Sequence, residues 1–159
     1  MGGYTDVFMI DDQLAGFLQE GLAIHLGTRS EGLQPNGGRA VAVKVEADGV
    51  HVVVYMAQAA AERVLGDLEE NGQAAVVFCR PMDDRACQVK GVCVSVRPAM
   101  AEERAFVAAQ WDRFLGQLEQ IGIPRAVAAG WIMWPAVAVR LRTTALFNQT
   151  PGPDAGAAL

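Results

Sequence analysis

The chain has 159 residues, 52% of them hydrophobic and 19% charged, with a formal net charge of -5 and a pI near 5.0. A chain of this size and composition folds as one domain able to bury roughly two thirds of its unfolded surface. The acidic balance excludes a general nucleic-acid binder, which needs clustered positive charge, and no stretch approaches the roughly 20 apolar residues of a membrane-spanning helix. Residues 1–150 therefore read as a single domain and the Pro/Gly/Ala-rich residues 151–159 as a flexible tail.

Met1-Gly-Gly-Tyr-Thr-Asp6 has neither the basic region nor the apolar run of a secretory leader, so a cytoplasmic location is expected. Asp11-Asp12 followed by Leu14, Phe17 and Leu18, with Gly21 as a stop, predicts a short amphipathic helix with an acidic start. In residues 22–28, Leu22, Ile24 and Leu26 alternate against Ala23, His25 and Gly27, the pattern of a half-buried strand. Residues 30–38, with Pro35-Asn-Gly-Gly38, read as a turn. Residues 39–45 and 50–56 are strands joined through Asp48-Gly49, a strong hairpin signal.

Residues 58–71 carry helix formers and an apolar stripe at Ala61, Val64, Leu65 and Leu68, with Gly72 placed as a C-terminal cap. Two more strands, 73–79 and 86–96, flank the polar loop 80–85. Beyond Pro98 the period changes. Val107, Trp111, Phe114, Leu118 and Ile121 recur every three or four residues, one apolar helix face that ends at Ile123-Pro124. A last strand, 136–142, sets Val137, Val139 and Leu141 on one face and Ala136, Ala138, Arg140 and Arg142 on the other. Six short strands with hairpin connections and peripheral helices predict a mainly β, six-stranded antiparallel barrel rather than a βαβ sheet.

Cys79, Cys87 and Cys93 are odd in number and form no C-x-x-C pair, so they read as reduced, mostly buried thiols and not as a disulfide or zinc framework. His25 and His51 sit in strands without metal-ligand spacing to each other or to carboxylates, and no metal site or histidine triad is expected. Arg39 and Lys44 bracket one strand. Five residues apart, they leave opposite faces unless a bulge intervenes, and taken alone they suit a hairpin edge protected by charge. Arg140 and Arg142 beside small Ala136 and Ala138 place charge next to open space, as an anionic ligand needs, or form an ion-paired strand end.

The order of these pieces carries more than any one of them. Arg39-Ala-Val-Ala-Val-Lys44, Tyr55-Met56, Glu62-Arg63-Val64, Glu69-Glu-Asn-Gly72 and Gln88-Val-Lys-Gly91 resemble, in sequence and spacing, the pyridoxamine 5'-phosphate oxidase-like superfamily of FMN-binding split barrels. Trp134 stands before Arg140-Leu-Arg142 at the spacing of that family's Trp and Arg-x-His pair. The resemblance implies FMN as cofactor, with Arg39 and Arg63 on its phosphate and Ala40, the backbone of Val41 and Val43, Lys44, Tyr55, Met56, Gln88 and Trp134 along the flavin. It implies a homodimer with the cofactor between subunits; the residues themselves suggest a small-molecule substrate near Arg140 and Arg142, and the sequence shows no sign of a nucleic-acid or membrane partner. Glu62 and Val64 stand where the family has phosphate-binding Ser and Lys, and Arg142 and Thr144 where the true oxidase has His and Arg. The chain thus resembles a relative with another substrate. An FMN-dependent oxidoreductase is the first expectation; a non-catalytic sensor holding flavin, haem or another planar anion is the second, and a barrel without its cofactor the third.

Overall fold

The computed structural model describes residues 8–159, so the leader reading of residues 1–6 lies outside it. Asp11 caps helix α1 (Asp12–Leu18): its Oδ1 accepts the Leu14 N–H at 2.7 Å, which satisfies one of the helix's orphan donors. Strands β1 (Ala23–Arg29), β2 (Pro35–Val45) and β3 (His51–Ala57) follow as a meander. A 3₁₀ turn (Gln58–Ala60) takes up the start of the predicted helix, and α2 (Glu62–Asn71) ends at Gly72, whose φ of 69° is the left-handed cap. Then come β4 (Gln73–Cys79), β5 (Ala86–Pro98), α3 (Arg104–Gln120) and β6 (Ala136–Asn148).

The six strands close in the order β1-β2-β3-β6-β5-β4, every neighbouring pair antiparallel, so the expected barrel is the observed one. Its interior is filled by alternate residues of every strand, among them Ile24, Leu26, Ala40, Val43, Val54, Met56, Val76, Phe78, Val89, Val139 and Leu141. α1 and α2 plug the ends with Phe17, Leu18, Val64 and Leu68. The buried Asp67 of α2 is held by the Thr28 hydroxyl at 2.6 Å and the Asn36 amide at 2.8 Å, which fastens the helix to β1 and β2.

Three boundaries differ from the expectation. Pro35 to Gly38 belong to β2 and not to the turn, because β1 continues to pair outward as far as Arg29 and Pro35, and a proline at the first strand position gives up no needed donor. β6 runs six residues past Arg142; a register shift between Lys90 and Gly91 of β5 breaks the alternation at Thr143 and Thr144 and hides the continuation. Residues 151–159, read as a flexible tail, turn back so that the Leu159 N–H reaches the Leu146 carbonyl at 3.0 Å and Gly156 N–H reaches the Asn148 carbonyl at 2.7 Å.

Gly21, at φ 92°, makes the corner where α1 enters β1 against α3; a Cβ there would lie 2.7 Å from the Gln110 carbonyl and 2.9 Å from the Phe114 nitrogen. Both contacts are backbone and cannot swing away. Gly21→Ala is expected to destabilise the fold by about 2–4 kcal/mol, from left-handed strain plus overpacking, measured as a lower urea midpoint. An unchanged midpoint would mean that α3 is not packed on this corner.

Candidate functional site

The outward face of β2 is the natural place to look, because a bulge gathers its charges there. Ala40 pairs with Met56 and Ala42 with the adjacent Tyr55, leaving Val41 as the extra residue. Ala40 and Val43 point into the barrel while Val41 and Ala42 point out. Arg39 and Lys44, five apart in sequence, therefore share the outer face, the bulged alternative that the spacing left open.

That face is covered by α3. Val107, Trp111, Phe114 and Leu118 pack on Val41, Ala42, Val53, Tyr55 and Ala138 to form a second core outside the barrel. β1 pairs with β2 only as far as Ala40, so the edge of β2 beyond it needs other partners. Gln110, 1% exposed, supplies them: its Oε1 accepts the Val43 N–H at 3.0 Å and its Nε2 donates to the Val43 carbonyl at 2.6 Å. Gln19 Oε1 accepts the Val45 N–H at 3.1 Å. The Val43 backbone, assigned by resemblance to the flavin ring, is thus engaged by α3.

Arg39 is half-buried beside two aromatic rings, its guanidinium carbon 4.6 Å from the Trp131 centroid and 5.5 Å from that of Phe114. These two rings are themselves stacked at 6.4 Å, and Trp111 lies 5.3 Å from Phe114. Among the described residues no carboxylate answers Arg39, and burial pushes its pKa down. His25 lies directly across the ladder from it, and burial followed by the Arg39 charge lowers the imidazole's pKa.

Arg63 stands exposed at the start of α2, at the mouth of a recess of about 220 Å³ lined also by Gly37, Ala59, Ala60, Glu62 and Val64. Ala61 gives that helix no side-chain cap, so its first amides remain available to an anion. Gly37 is two residues from Arg39 on β2, but the Arg39 side chain is turned to the aromatics and does not line this recess. Val64 is 1% exposed and Met56 0%, both in the inner core. Lys44 is exposed on the outer face.

The other assigned residues lie farther apart. The Tyr55 hydroxyl donates to Glu103 Oε1 at 2.7 Å, and Arg97 grips the same carboxylate with nitrogens at 2.7 and 2.8 Å. Burial and that bond hold the Tyr55 phenol well above its usual pKa. Trp134 is partly buried against the second core, with Arg104 5.8 Å over its ring. Arg140 forms a bidentate pair with Glu46 at 2.9 and 2.7 Å, the ion-paired strand end of the two readings, whereas Arg142 is exposed opposite His51. Gln88 lines a recess of about 360 Å³ with Val77, Cys79, Asp84, Ala86, Gln149 and Pro151. It lies on β5, diametrically across the six-strand ring from β2. One chain cannot bring Gln88 to Arg39 and Lys44.

Sequence reasoning passed over Gln110, Phe114 and Trp131 as neighbours of the charged strand. The available signal was Gln110 itself, a polar residue beside the apolar stripe of α3. It also passed over Glu46, Asp48 and His51, which the hairpin brings within 4.8 Å of one another. Their atoms are already partnered: Arg140 takes both Glu46 oxygens, and Asp48 Oδ2 meets His51 Nδ1 at 2.7 Å.

No family model matches the sequence and no curated protein matches it. Solved structures do match over nearly the whole chain. HupZ from Group A Streptococcus superposes with a TM-score of 0.55 at 17% identity, over 93% of this chain and 100% of that one. An FMN-binding protein from Syntrophomonas wolfei gives 0.53 at 12% identity over 86% of each, and an F420 reductase 0.51 at 19% over 82% and 93%. The fold is that of the pyridoxamine 5'-phosphate oxidase-like FMN-binding split barrels. At these identities the likeness is one of fold. Among the described residues no helix is long and apolar enough to cross a membrane.

Two outcomes follow from this geometry. Gln110→Leu leaves the Val43 N–H and carbonyl buried without partners and should destabilise by about 2–4 kcal/mol in urea unfolding. The Glu103 carboxyl is held down to about 2, chiefly by Arg97. A depressed folded pKa contributes stability above the unfolded value that is lost as pH falls, so the midpoint should drop between about pH 5 and pH 2 and Glu103→Gln should flatten that limb. A limb of equal steepness in the variant would remove Glu103 from the network.

Proposed function

We propose that the protein is a cytoplasmic, homodimeric FMN-binding flavoprotein that passes hydride or electrons to or from a small molecule. The observation that carries this reading is the opposition of β2 and β5. Arg39, Lys44 and Arg63 stand on one side of the barrel and Gln88 on the other, so a site using all of them is completed by a second copy. At the phosphate end the donors suit a phosphate monoester: a desolvated Arg39 without counter-charge, an uncommitted Arg63, and the uncapped amides of α2. Glu62 at that recess opposes them. FMN supplies the redox chemistry when bound; the chain's own part is to hold the phosphate, to place Lys44 and Gln88 at the ring, and to exclude water with α3.

A second reading is a non-catalytic ligand-binding protein on the same fold. It is favoured by α3, because turnover needs one ring face open to substrate and the outer face of β2 is covered. Purified protein that is yellow, or that quenches added FMN fluorescence, and that light scattering sizes at twice 16.9 kDa supports the first statement. Arg63→Ala should then weaken FMN about tenfold or more. A colourless monomer without FMN affinity would exclude it, and bound flavin that no NADH, NADPH or small reductant reduces would select the second reading.

A further inference from the structure

We propose that Trp131 is a latch on the ligand site: it holds the Arg39 guanidinium against Phe114, and a phosphate monoester gains Arg39 only when Trp131 moves aside. This rests on the FMN reading above and concerns how the site is entered. Arg39 lies 4.6 Å from the Trp131 centroid, in cation–π range, yet the same guanidinium is the one half-buried cation on this face without an anionic partner among the described residues. The two rings that hold it differ in their freedom. Phe114 is 3% exposed in the second core and fixed by α3. Trp131 is 38% exposed, follows the 3₁₀ turn Arg125–Ala128, and is tied back by a single backbone bond, its N–H to the Ala128 carbonyl at 3.0 Å. Residues 132–135 after it have no regular structure, and Ile132 is 59% exposed. Swinging Trp131 into solvent gives up its contacts with Phe114 at 6.4 Å and Trp111 at 6.1 Å but leaves the buried face of α3 and the Gln110 bonds in place. Arg39 would be released towards Gly37, the residue two positions back that lines the Arg63 recess.

The test is FMN affinity by flavin fluorescence and calorimetry, with near-ultraviolet circular dichroism to verify folding. Trp131→Leu keeps apolar bulk on Phe114 but removes the π face, and should tighten FMN about tenfold; Trp131→Phe should tighten it less. In an Arg39→Ala background the Trp131→Leu gain should vanish, and for riboflavin, which lacks the phosphate, it should be absent. Unchanged or weaker FMN binding by Trp131→Leu, or an equal gain without Arg39 or with riboflavin, overturns the latch and leaves the FMN reading standing. Failure of both the parent chain and Trp131→Leu to bind FMN overturns both.

Discussion

The seam between β2 and α3 is the constraint on which the rest of this molecule depends. A six-stranded barrel of this size satisfies its own interior with one residue in two, and its outward faces are ordinarily wet. Here β2, β3 and β6 turn Val41, Ala42, Val53, Tyr55 and Ala138 outward, an apolar surface that must be covered. α3 covers it, and the bulge decides how. With Val41 extra, two consecutive residues face the helix and the Val43 amide and carbonyl are left at an edge that β1 does not reach. Gln110 answers both groups from within an apolar helix face. Burying an amide side chain there is unfavourable unless both of its ends are paired, so the double hydrogen bond sets the register of α3 on the barrel.

The same seam fixes the distribution of charge. Because the bulge puts Arg39 and Lys44 on one face, α3 cannot lie flat without meeting a guanidinium, and it meets Arg39 with aromatic rings in place of a carboxylate. Two other strand cations are answered by acids, Arg140 by Glu46 and Arg97 by Glu103, while Lys90 lies 5.2 Å over the Phe147 ring. A barrel built only for stability has every reason to treat Arg39 likewise. An aromatic partner leaves the positive charge unneutralised, and neutralisation is then available to something outside the chain.

Much of this architecture was legible in the sequence. Strand and helix positions followed from alternation in residues 22–28, 50–56 and 73–79, from the Asp48-Gly49 turn and from the stripe of α3, because each is a local consequence of burial period. What stayed hidden was non-local. The Val41 bulge has no signature in Ala-Val-Ala-Val, where every residue is small or β-branched and either face is acceptable. Thr143 and Thr144 lost the alternation because β5 shifts register opposite them. The site was legible as a set of residue types in order, but not as a place: resemblance assigned Met56 and the Val43 backbone to the cofactor, whereas the pleat turns Met56 inward and Gln110 takes Val43. Arg39 was singled out by its position, and only tertiary packing tells that its first neighbours are Phe114 and Trp131.

The energetics of that neighbourhood bear on the kind of ligand proposed for it. A guanidinium over an indole gains about 0.5–2 kcal/mol, rising as water is excluded, and this offsets part of the desolvation that lowers the Arg39 pKa. A weak neutral acceptor gives Arg39 little beyond what Trp131 already supplies, so exchange of one for the other is nearly balanced. A phosphate dianion is different, since each charge-assisted hydrogen bond contributes about 1.5–3 kcal/mol and a bidentate contact makes two. The aromatic partner therefore works as a threshold. Under the proposed reading it holds the cation in place at modest cost and yields to a ligand whose anionic group also engages Arg63 and the open amides of α2. Glu62 sets a negative charge beside Arg63 at that recess, so an anion held there must gain more from the arginine and the amides than it loses to the carboxylate.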